Sequence, residues 1–386
     1  MTQKTRTLFV LHTTARTGAP IALLEMIKFQ HKDVQDLFDV IILDKGELIP
    51  EFRQVSRIFS WYQFYRFWCI LQSLHFNKLN HWLAAAAIKI FLSNRYQSIC
   101  ANTVGAIPFT LEINKSLKTH AVLYIHESEY AVDRFIGREK FRELVHKFKR
   151  IIAVSETVKQ NLVDNYSIDE KNISIINPIF FQAKVKQDKH KSIIEPLGIT
   201  ENTFLVGGSG SIDWIKGPDI FLLVAATFHK IIGNGDYHFV WIGSSNNTQS
   251  LRDLQHDQAH LGLSKVVTFV GKTTTPLAYY SKLDVFVLTS REESFSLVIS
   301  ENISIGTPII GFQNVSGIEQ VLHKCESCVF VPYLDIEAMA NELAVLYRNP
   351  NMRTERRSAI LNFSKSFIAD NQSKLAEFPR YLKCSP

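Results

Sequence analysis

The chain of 386 residues has an ordinary globular composition, with 46% hydrophobic and 21% charged residues and no low-complexity tract. A chain of this length predicts two or three domains. Its five cysteines follow no regular spacing, which excludes a disulfide framework, and the single C-x2-C pair lacks the further ligands of a zinc site. No signal peptide precedes the first strand-like run, and no apolar run approaches the roughly 18–20 residues that span a bilayer. We therefore expect a soluble, cytoplasmic protein.

The net charge of +6 lies on residues 1–180, which can indicate a nucleic acid or an anionic membrane surface as a partner. No nucleic-acid motif accompanies this charge, so we expect no nucleic-acid partner. Two segments are candidates for peripheral contact with the inner face of a membrane. One is the aromatic stretch 60–93, which buried helices explain slightly better. The other is the apolar pattern of residues 141–148 among lysines and arginines, which is usually a solvated helix face.

Short apolar runs alternate with helical patterns along the whole chain, which predicts parallel sheets covered by helices on both faces. The predicted strands of the first half are Leu8–Leu11, Val40–Leu43, Ser98–Ala101, Val122–Ile125, Ile151–Val154 and Ile173–Ile176. Those of the second half are Phe204–Val206, Phe239–Ile242, Val267–Val270, Val285–Leu288, Ile309–Gly311 and Val329–Val331. The charged stretch 182–191 separates the two series and is typical of an interdomain linker.

Two segments of the first half follow predicted strands, at the edge where open α/β sheets bind ligands. The loop 13–20 leads from the first strand into an amphipathic helix, and its Gly18 would let backbone approach a ligand closely. A simple tight turn is the alternative. His126 comes directly after the strand Val122–Ile125, although a lone histidine is more often structural.

The segment 206–217 is a glycine-rich turn between a strand and a helix, and it contains Gly210 and ends in Lys216 and Gly217. The backbone amides of such a turn can hold a phosphate, and a lysine ammonium can neutralise its charge. A solvated turn lysine is the alternative for Lys216. No Asp-x-Asp occurs in the chain, so we expect no metal ion and no other cofactor.

One loop and the short helix after it have the strongest functional pattern in the chain. Glu293 lies in a polar loop that follows a strand-like run, and Glu301 lies in the helix. The amides of Ser294, Phe295 and Ser296 are predicted to point out of the helix N-terminus, which suits an anion. The two carboxylates can hold hydroxyl groups while the amides hold a charged group. The pattern therefore predicts a ligand that contains both sugars and phosphates.

Glu293, Glu301 and the residues between them resemble the paired-glutamate signature of retaining, nucleotide-sugar-dependent glycosyltransferases of the family 4 type. The resemblance extends over nearly the whole chain and implies the GT-B fold, in which two Rossmann-like doubly wound domains face each other across a cleft. The expected domains are 1–180 on the acceptor side and 196–363 on the nucleotide-sugar side, with a linker at 181–195. Residues 364–386 would form a C-terminal helix that crosses back to the first domain.

The resemblance also implies roles for individual residues. Glu301 would bind the ribose hydroxyls and Lys216 the pyrophosphate. Glu293 and the amides of Ser294, Phe295 and Ser296 would hold the transferred sugar, which His126 would contact from the first domain. Glycines would approach the donor closely, and these are Gly18, Gly210 and Gly243. The family usually places an arginine before the lysine, whereas no arginine or lysine lies between Glu201 and Ile215 here.

The implied activity is metal-independent transfer of a sugar, with retention of its anomeric configuration, from a nucleotide-sugar to a glycan or a lipid-linked acceptor. Cell-surface polysaccharide synthesis is the expected setting, by analogy alone. Two alternatives remain open. One is a sugar-nucleotide epimerase or a phosphorylase of similar fold. The other is a non-catalytic GT-B-like partner of a glycosyltransferase, which would agree with the missing arginine.

Overall fold

The computed structural model describes residues 6–31, 37–61, 96–178, 195–244 and 248–382. The chain folds as two compact units, of which unit 1 contains residues 1–179 and 370–386 and unit 2 contains residues 180–369. The aromatic stretch 60–93, apart from its first two residues, and the charged stretch 182–191 lie outside the described residues. Within the described ranges, no helix is long and apolar enough to cross a membrane.

Unit 1 is built on a parallel sheet. Its described strands are β1 (Arg6–Leu11), β2 (Phe38–Ile42), β3 (Arg57–Ser60), β4 (Tyr96–Asn102), β5 (His120–Ile125), β6 (Arg150–Ala153) and β7 (Ile173–Ile175). The helices described between them are α1 (Gly18–His31), α2 (Ile49–Val55), α3 (Ile107–Leu117), α4 (Glu129–Ile136), α5 (Arg138–Val145) and α6 (Glu156–Tyr166). The strands lie in the order β3-β2-β1-β4-β5-β6-β7.

Unit 2 repeats this architecture. Its described strands are β8 (Phe204–Ser209), β9 (Tyr237–Ile242), β10 (Val267–Gly271), β11 (Val285–Leu288), β12 (Ile309–Phe312) and β13 (Cys328–Val331). Its described helices are α7 (Pro218–Ile232), α8 (Thr248–His260), α9 (Pro276–Tyr280), α10 (Leu297–Ser304), α11 (Glu319–Leu322) and α12 (Ile336–Arg348). The strands lie in the order β10-β9-β8-β11-β12-β13.

The C-terminal segment is anchored in the core of unit 1. Helix α13 (Pro350–Ala376) begins among residues of unit 2 and ends among residues of unit 1, where α14 (Phe378–Tyr381) follows. Phe378 is fully buried, and its ring centroid lies 6.3 Å from that of Phe9 and 5.7 Å from that of Tyr124. Ring contacts with residues of β1 and β5 therefore fix the end of the chain.

Every strand predicted from the sequence is a strand of these two sheets, and all the pairings are parallel. This confirms the predicted α/β class with two Rossmann-like doubly wound sheets. Helices cover both faces of each sheet, so the central strands are continuous apolar runs, as in Leu8–Leu11, where no residue is more than 1% exposed. The prediction omitted β3 because this edge strand is short, half polar and only partly buried.

The apolar positions of residues 141–148 face the core of unit 1. Phe141 and Val145 are fully buried, and Phe148 is 4% exposed. Several basic residues on the outer side of α5 and just after it take part in surface ion pairs, such as Arg142 with Glu139 at 3.5 Å and Lys147 with Glu143 at 3.1 Å. These contacts favour the solvated helix face over a membrane-binding surface at this segment.

Each sheet has a point at which the strand order reverses, because β4 returns to the side of β1 and β11 returns to the side of β8. Open α/β sheets bind ligands at the carboxyl ends of the strands that flank this point. The residues that follow β1, β4 and β5 in unit 1, and β8, β9 and β11 in unit 2, are therefore those in which a site is expected.

Candidate functional site

The carboxyl ends of β8, β9 and β10 form a surface of glycine backbone. A Cβ on Gly243 would lie 2.0 Å from the carbonyl oxygen of Gly210, and the φ of Gly243 is 138°, so only glycine fits. The N–H of Gly210 donates to the carbonyl of Ile242 at 3.1 Å, and the N–H of Gly243 donates to Gly271 at 3.0 Å. The N–H groups of Gly210 and Gly243 are therefore already used within the protein and are not available to a ligand.

We expect Gly243→Ala to destabilise the protein by about 2–4 kcal/mol, because the methyl group must push the Gly210 backbone away. Nucleotide binding should weaken as well, since the ends of β8 and β9 would separate. Gly262→Ala is the matched control: Gly262 also has a positive φ, 72°, but no described atom lies within 4 Å of its Cβ position. That change should cost only about 1 kcal/mol. Urea unfolding of both variants measures the difference, and equal losses would contradict the expected clash.

The turn after β8 is folded around Asp213. One carboxylate oxygen of Asp213 accepts the N–H of Lys216 at 3.0 Å, and the other accepts the hydroxyl of Ser211. The N–H of Ile212 donates to the carbonyl of Ser244 at 3.2 Å. These amides are satisfied within the protein, so the predicted phosphate cradle of turn amides is not open at these positions. What the turn presents instead is the ammonium group of Lys216.

Lys216 and Glu293 form an ion pair that joins two loops of unit 2. The Nζ of Lys216 donates to the Oε1 of Glu293 at 2.6 Å, and the two side chains are 30% and 10% exposed. The hydroxyl of Ser290 donates to the same oxygen at 3.0 Å. The backbone of Glu293 is held by the carbonyl of Val315 at 2.9 Å and by the N–H of Gly317 at 3.2 Å. Two residues predicted from the sequence as separate site elements are thus brought together in a fixed geometry.

Helix α10 begins at Leu297, as the sequence pattern predicted. Ser296 is its N-cap, and its first internal bond runs from the N–H of Ser300 to the carbonyl of Ser296 at 3.2 Å. The unpaired amides at the N-terminus of α10 are therefore those of residues 296–299, and the predicted Ser296 is among them. Ser294 and Phe295 precede the helix, and Phe295 is only 5% exposed because its ring packs inward. The predicted anion site moves toward Ser296 accordingly.

Glu301 lies in the middle of α10, close to the hydroxyl of Tyr280. Burial raises the pKa of the Glu301 carboxyl to about 7. Burial, and then the charge of Glu301, raise the pKa of Tyr280. The hydroxyl of Ser209 donates to the carbonyl of Ile242 at 2.8 Å, so the Tyr280 hydroxyl donates to Ser209 at 2.7 Å. This chain of bonds ties the neighbourhood of Glu301 to the end of β8.

His126 follows β5 in unit 1 and is held by the last residue of the neighbouring strand. Its Nε2 lies 3.0 Å from the Oδ1 of Asn102, whose side-chain N–H donates to the carbonyl of Ala19 at 3.4 Å. Burial, helped by the nearby His12, lowers the pKa of His126 to about 3, so its imidazole is neutral at pH 7. Ala19 follows Gly18, the exposed first residue of α1, so the structure places Gly18 and His126 at the same edge of this sheet.

His12 and Thr103 belong to the same cluster, and the sequence reasoning missed them. The Nδ1 of His12 lies 2.6 Å from the Thr103 hydroxyl. Thr103 has a φ of 126°, a strained conformation that β-branched residues rarely adopt and that is concentrated at functional sites. A Cβ on Gly105 would lie 3.1 Å from the His12 ring. The sequence did contain a signal for His12, because His12 directly follows the first strand just as His126 directly follows β5.

The Glu127 carboxyl group is hydrogen-bonded to the backbone of the cluster formed by His12, Thr103 and His126. Its Oε2 accepts the N–H of His126 at 3.0 Å and that of Val104 at 3.3 Å. Burial raises the pKa of Glu127 to about 7, although these hydrogen bonds oppose the shift. The carboxyl group therefore positions the residues that follow β4 and β5.

Comparison with known families agrees with both halves of the chain. A family model described as Glycosyltransferase Family 4 matches residues 41–179, and a model described as Glycosyl transferases group 1 matches residues 202–349. The two matched segments together take in most of the chain.

Curated relatives are similar at low identity. A D-inositol 3-phosphate glycosyltransferase of Paenarthrobacter aurescens is 25% identical over 229 residues, which are 58% of this chain and 55% of that protein. A capsular polysaccharide biosynthesis glycosyltransferase, CapM, of Staphylococcus aureus is 25% identical over 209 residues, 53% of each protein. The chain thus matches about half the length of these relatives.

Solved structures are similar over almost the whole chain. The crystal structure of Anabaena Alr3699/HepE in complex with UDP-glucose has a TM-score of 0.79 at 16% identity and covers 97% of this chain and 98% of that one. That of WaaG, a glycosyltransferase involved in lipopolysaccharide biosynthesis, has a TM-score of 0.72 at 11% identity and covers 98% and 100%. At these identities the similarity shows that the fold is shared.

Proposed function

Because the chain belongs to family 4 of the glycosyltransferases, we propose that it transfers a sugar from a nucleotide-sugar donor to a glycan or lipid-linked acceptor, with retention of anomeric configuration. The observation that carries the proposal is the Lys216–Glu293 pair, 2.6 Å apart, at the edge of the unit 2 sheet that also presents Glu301. The relative named for capsular polysaccharide biosynthesis supports a cell-surface glycan as the product. The neighbour bound to UDP-glucose supports a nucleotide-sugar as the donor.

In the proposed reaction the bond between the anomeric carbon and the diphosphate oxygen breaks, and the acceptor oxygen bonds to the same face of that carbon. The acceptor proton passes to an oxygen of the leaving diphosphate. Lys216 neutralises the charge that develops on the diphosphate, and the N-terminus of α10 adds positive potential nearby. Since Glu293 already holds the ammonium in place, little reorganisation is needed as charge develops. Glu301 accepts hydrogen bonds from the ribose hydroxyls, and Glu293 accepts them from the transferred sugar.

His126 is proposed to contact the sugar by hydrogen bonding and not as a cation. Burial lowers the pKa of His126 to about 3, so the imidazole is neutral at pH 7. A neutral imidazole can accept or donate one hydrogen bond at each nitrogen but cannot offset the charge of a phosphate. We therefore propose that Lys216 neutralises the charge of the leaving group and that His126 orients the transferred sugar.

A donor and acceptor screen tests the proposed function. Thermal shift and calorimetry with UDP, GDP, ADP and their common sugar conjugates should show that one nucleotide binds. The matching nucleotide-sugar, incubated with a panel of methyl glycosides, should then yield a disaccharide whose anomeric configuration by NMR is that of the donor. Failure of every nucleotide to bind would favour the non-catalytic partner. Turnover of the donor, or of glycan and phosphate, without an acceptor product would favour an epimerase or a phosphorylase.

The same assay tests the proposal that no metal ion takes part. We expect the rate in an excess of EDTA to equal the rate without EDTA, because the Lys216 ammonium takes the place of a metal ion beside the diphosphate. Loss of activity in EDTA that Mn²⁺ or Mg²⁺ restores would contradict this expectation.

A further inference from the structure

The indole of Trp214 is exposed in the turn that carries Lys216. Its side chain is one of the most exposed large apolar groups among the described residues, with a relative exposure of 55%. Single exposed apolar side chains are common on protein surfaces and need no special explanation. What distinguishes Trp214 is that the protein holds it in one position.

Arg291 fixes Trp214 through both its ring and its backbone. The guanidinium carbon lies 4.9 Å from the centroid of the indole, a cation–π contact, and Nη1 donates to the carbonyl of Trp214 at 2.6 Å. The N–H of Arg291 donates to the carbonyl of Ile215 at 2.7 Å. The guanidinium is itself held by two bonds to Asp219, at 3.1 and 2.6 Å. The guanidinium therefore holds the ring on one face, and Trp214 as a whole remains 55% exposed.

A ligand that stacks on an immobilised aromatic ring binds with a smaller loss of entropy than one that stacks on a mobile ring, because the side chain is already ordered. The brace of Arg291 and Asp219 thus prepares an apolar surface for a ligand. Pyranose rings offer a matching surface, since their axial C–H groups form an apolar patch that stacks on aromatic rings.

Trp214 lies near the position proposed for the transferred sugar, and the acceptor must come next to that sugar for transfer to occur. Two loops run side by side here, and each supplies one residue of the Lys216–Glu293 pair and one residue of the Trp214–Arg291 contact. Lys216 lies two residues after Trp214, and Glu293 two residues after Arg291. Two residues span at most about 7 Å, a distance of the order of one sugar ring. Trp214 is therefore a neighbour of the position proposed for the transferred sugar.

We propose that Trp214, braced by Arg291, is a stacking platform for a pyranose ring of the acceptor. This inference rests on the proposed function, because it takes the Lys216–Glu293 pair as the place where the donor sugar is held. The platform recognises the hexopyranose ring itself, whether that ring belongs to a free oligosaccharide or to a lipid-linked glycan.

Saturation-transfer NMR with methyl glycosides of glucose, galactose, mannose and N-acetylglucosamine tests the platform, in the presence of a saturating nucleotide. At least one glycoside should bind the wild-type chain. Trp214→Ala should weaken that binding about tenfold, and Trp214→Phe should retain most of it, because a smaller ring still stacks. Leu261→Ala is the control: Leu261 is 38% exposed in the loop that enters β10, at the opposite edge of the sheet, and should bind as the wild type does.

Calorimetry with the nucleotide distinguishes failure of the proposed function from failure of the Trp214 platform alone. If no nucleotide binds the wild-type chain, the proposed function fails and the platform fails with it. If a nucleotide binds the wild type and both Trp214 variants but glycoside binding is the same in Trp214→Ala, the platform alone is overturned. It is overturned as well if Trp214→Ala instead loses binding to equimolar phosphatidylglycerol–phosphatidylcholine vesicles, since the ring would then be a membrane contact.

Discussion

Replacing Lys216 with alanine is expected to lower the rate of sugar transfer by about 10²–10³-fold, with a smaller loss of affinity for the nucleotide. The ammonium group is the cation that the Asp213 turn presents, and Glu293 holds it 2.6 Å away. It would stabilise the charge on the leaving diphosphate more than the charge on the bound donor. Steady-state kcat and KM for the donor measure the effect. Lys230→Ala, which removes an exposed lysine from the last turn of α7, should change neither value.

A double replacement separates the chemical role of the pair from its structural role. In Lys216→Ala the Glu293 carboxylate, only 10% exposed, loses its cation, which should cost about 1–2 kcal/mol of stability. Adding Glu293→Gln removes the stranded charge and should restore that stability. The rate should remain low, because the cation is still missing. Recovery of the rate together with stability would show that the ion pair only holds the loops.

Nucleoside binding is expected to weaken about tenfold between pH 8 and pH 6, because the carboxylate form of Glu301 is the one that accepts the ribose hydroxyls. Burial places the pKa of Glu301 at about 7, so the carboxyl is mostly neutral at pH 6. Glu301→Gln should bind weakly at every pH and show no such slope. The phosphate-free nucleoside is used in calorimetry because a terminal phosphate titrates near pH 6 itself. The 2′,3′-dideoxynucleoside, which lacks both hydroxyls, should bind weakly and without the pH slope.

The ligand-free protein supplies a second readout of Glu301. Its pKa is higher in the folded state, about 7, than the usual 4.5 of an unfolded chain. The stability that this group contributes is therefore fully present below pH 4.5 and is lost as the pH rises to 7. Glu301→Gln removes this loss, so its Tm relative to the wild type should rise between pH 5 and pH 8. An unchanged difference across that range would show that the carboxyl is solvated.

The sequence by itself determined the strands, their parallel pairing and the edge of each sheet at which a ligand site is expected. Apolar runs such as Leu8–Leu11 are local signals, and a run buried on both faces has few other structures open to it. Gly243 was predicted from the resemblance to a family segment in which a glycine follows a strand. Lys216 and Glu293 were found as charged residues in loops that follow strands, and Glu301 was found in the short helix after the second of these loops.

The tertiary structure alone decided which of those residues meet. Lys216 and Glu293 pair because β8 and β11 are neighbours, and no local pattern records that the turn amides before Lys216 are already used around Asp213. His12 joins His126 only because β1, β4 and β5 lie side by side. The pKa of Glu301 depends on burial by the surrounding fold. Contacts between loops depend on strand order and on side-chain rotamers. Both are set by interactions between residues that are far apart in the sequence.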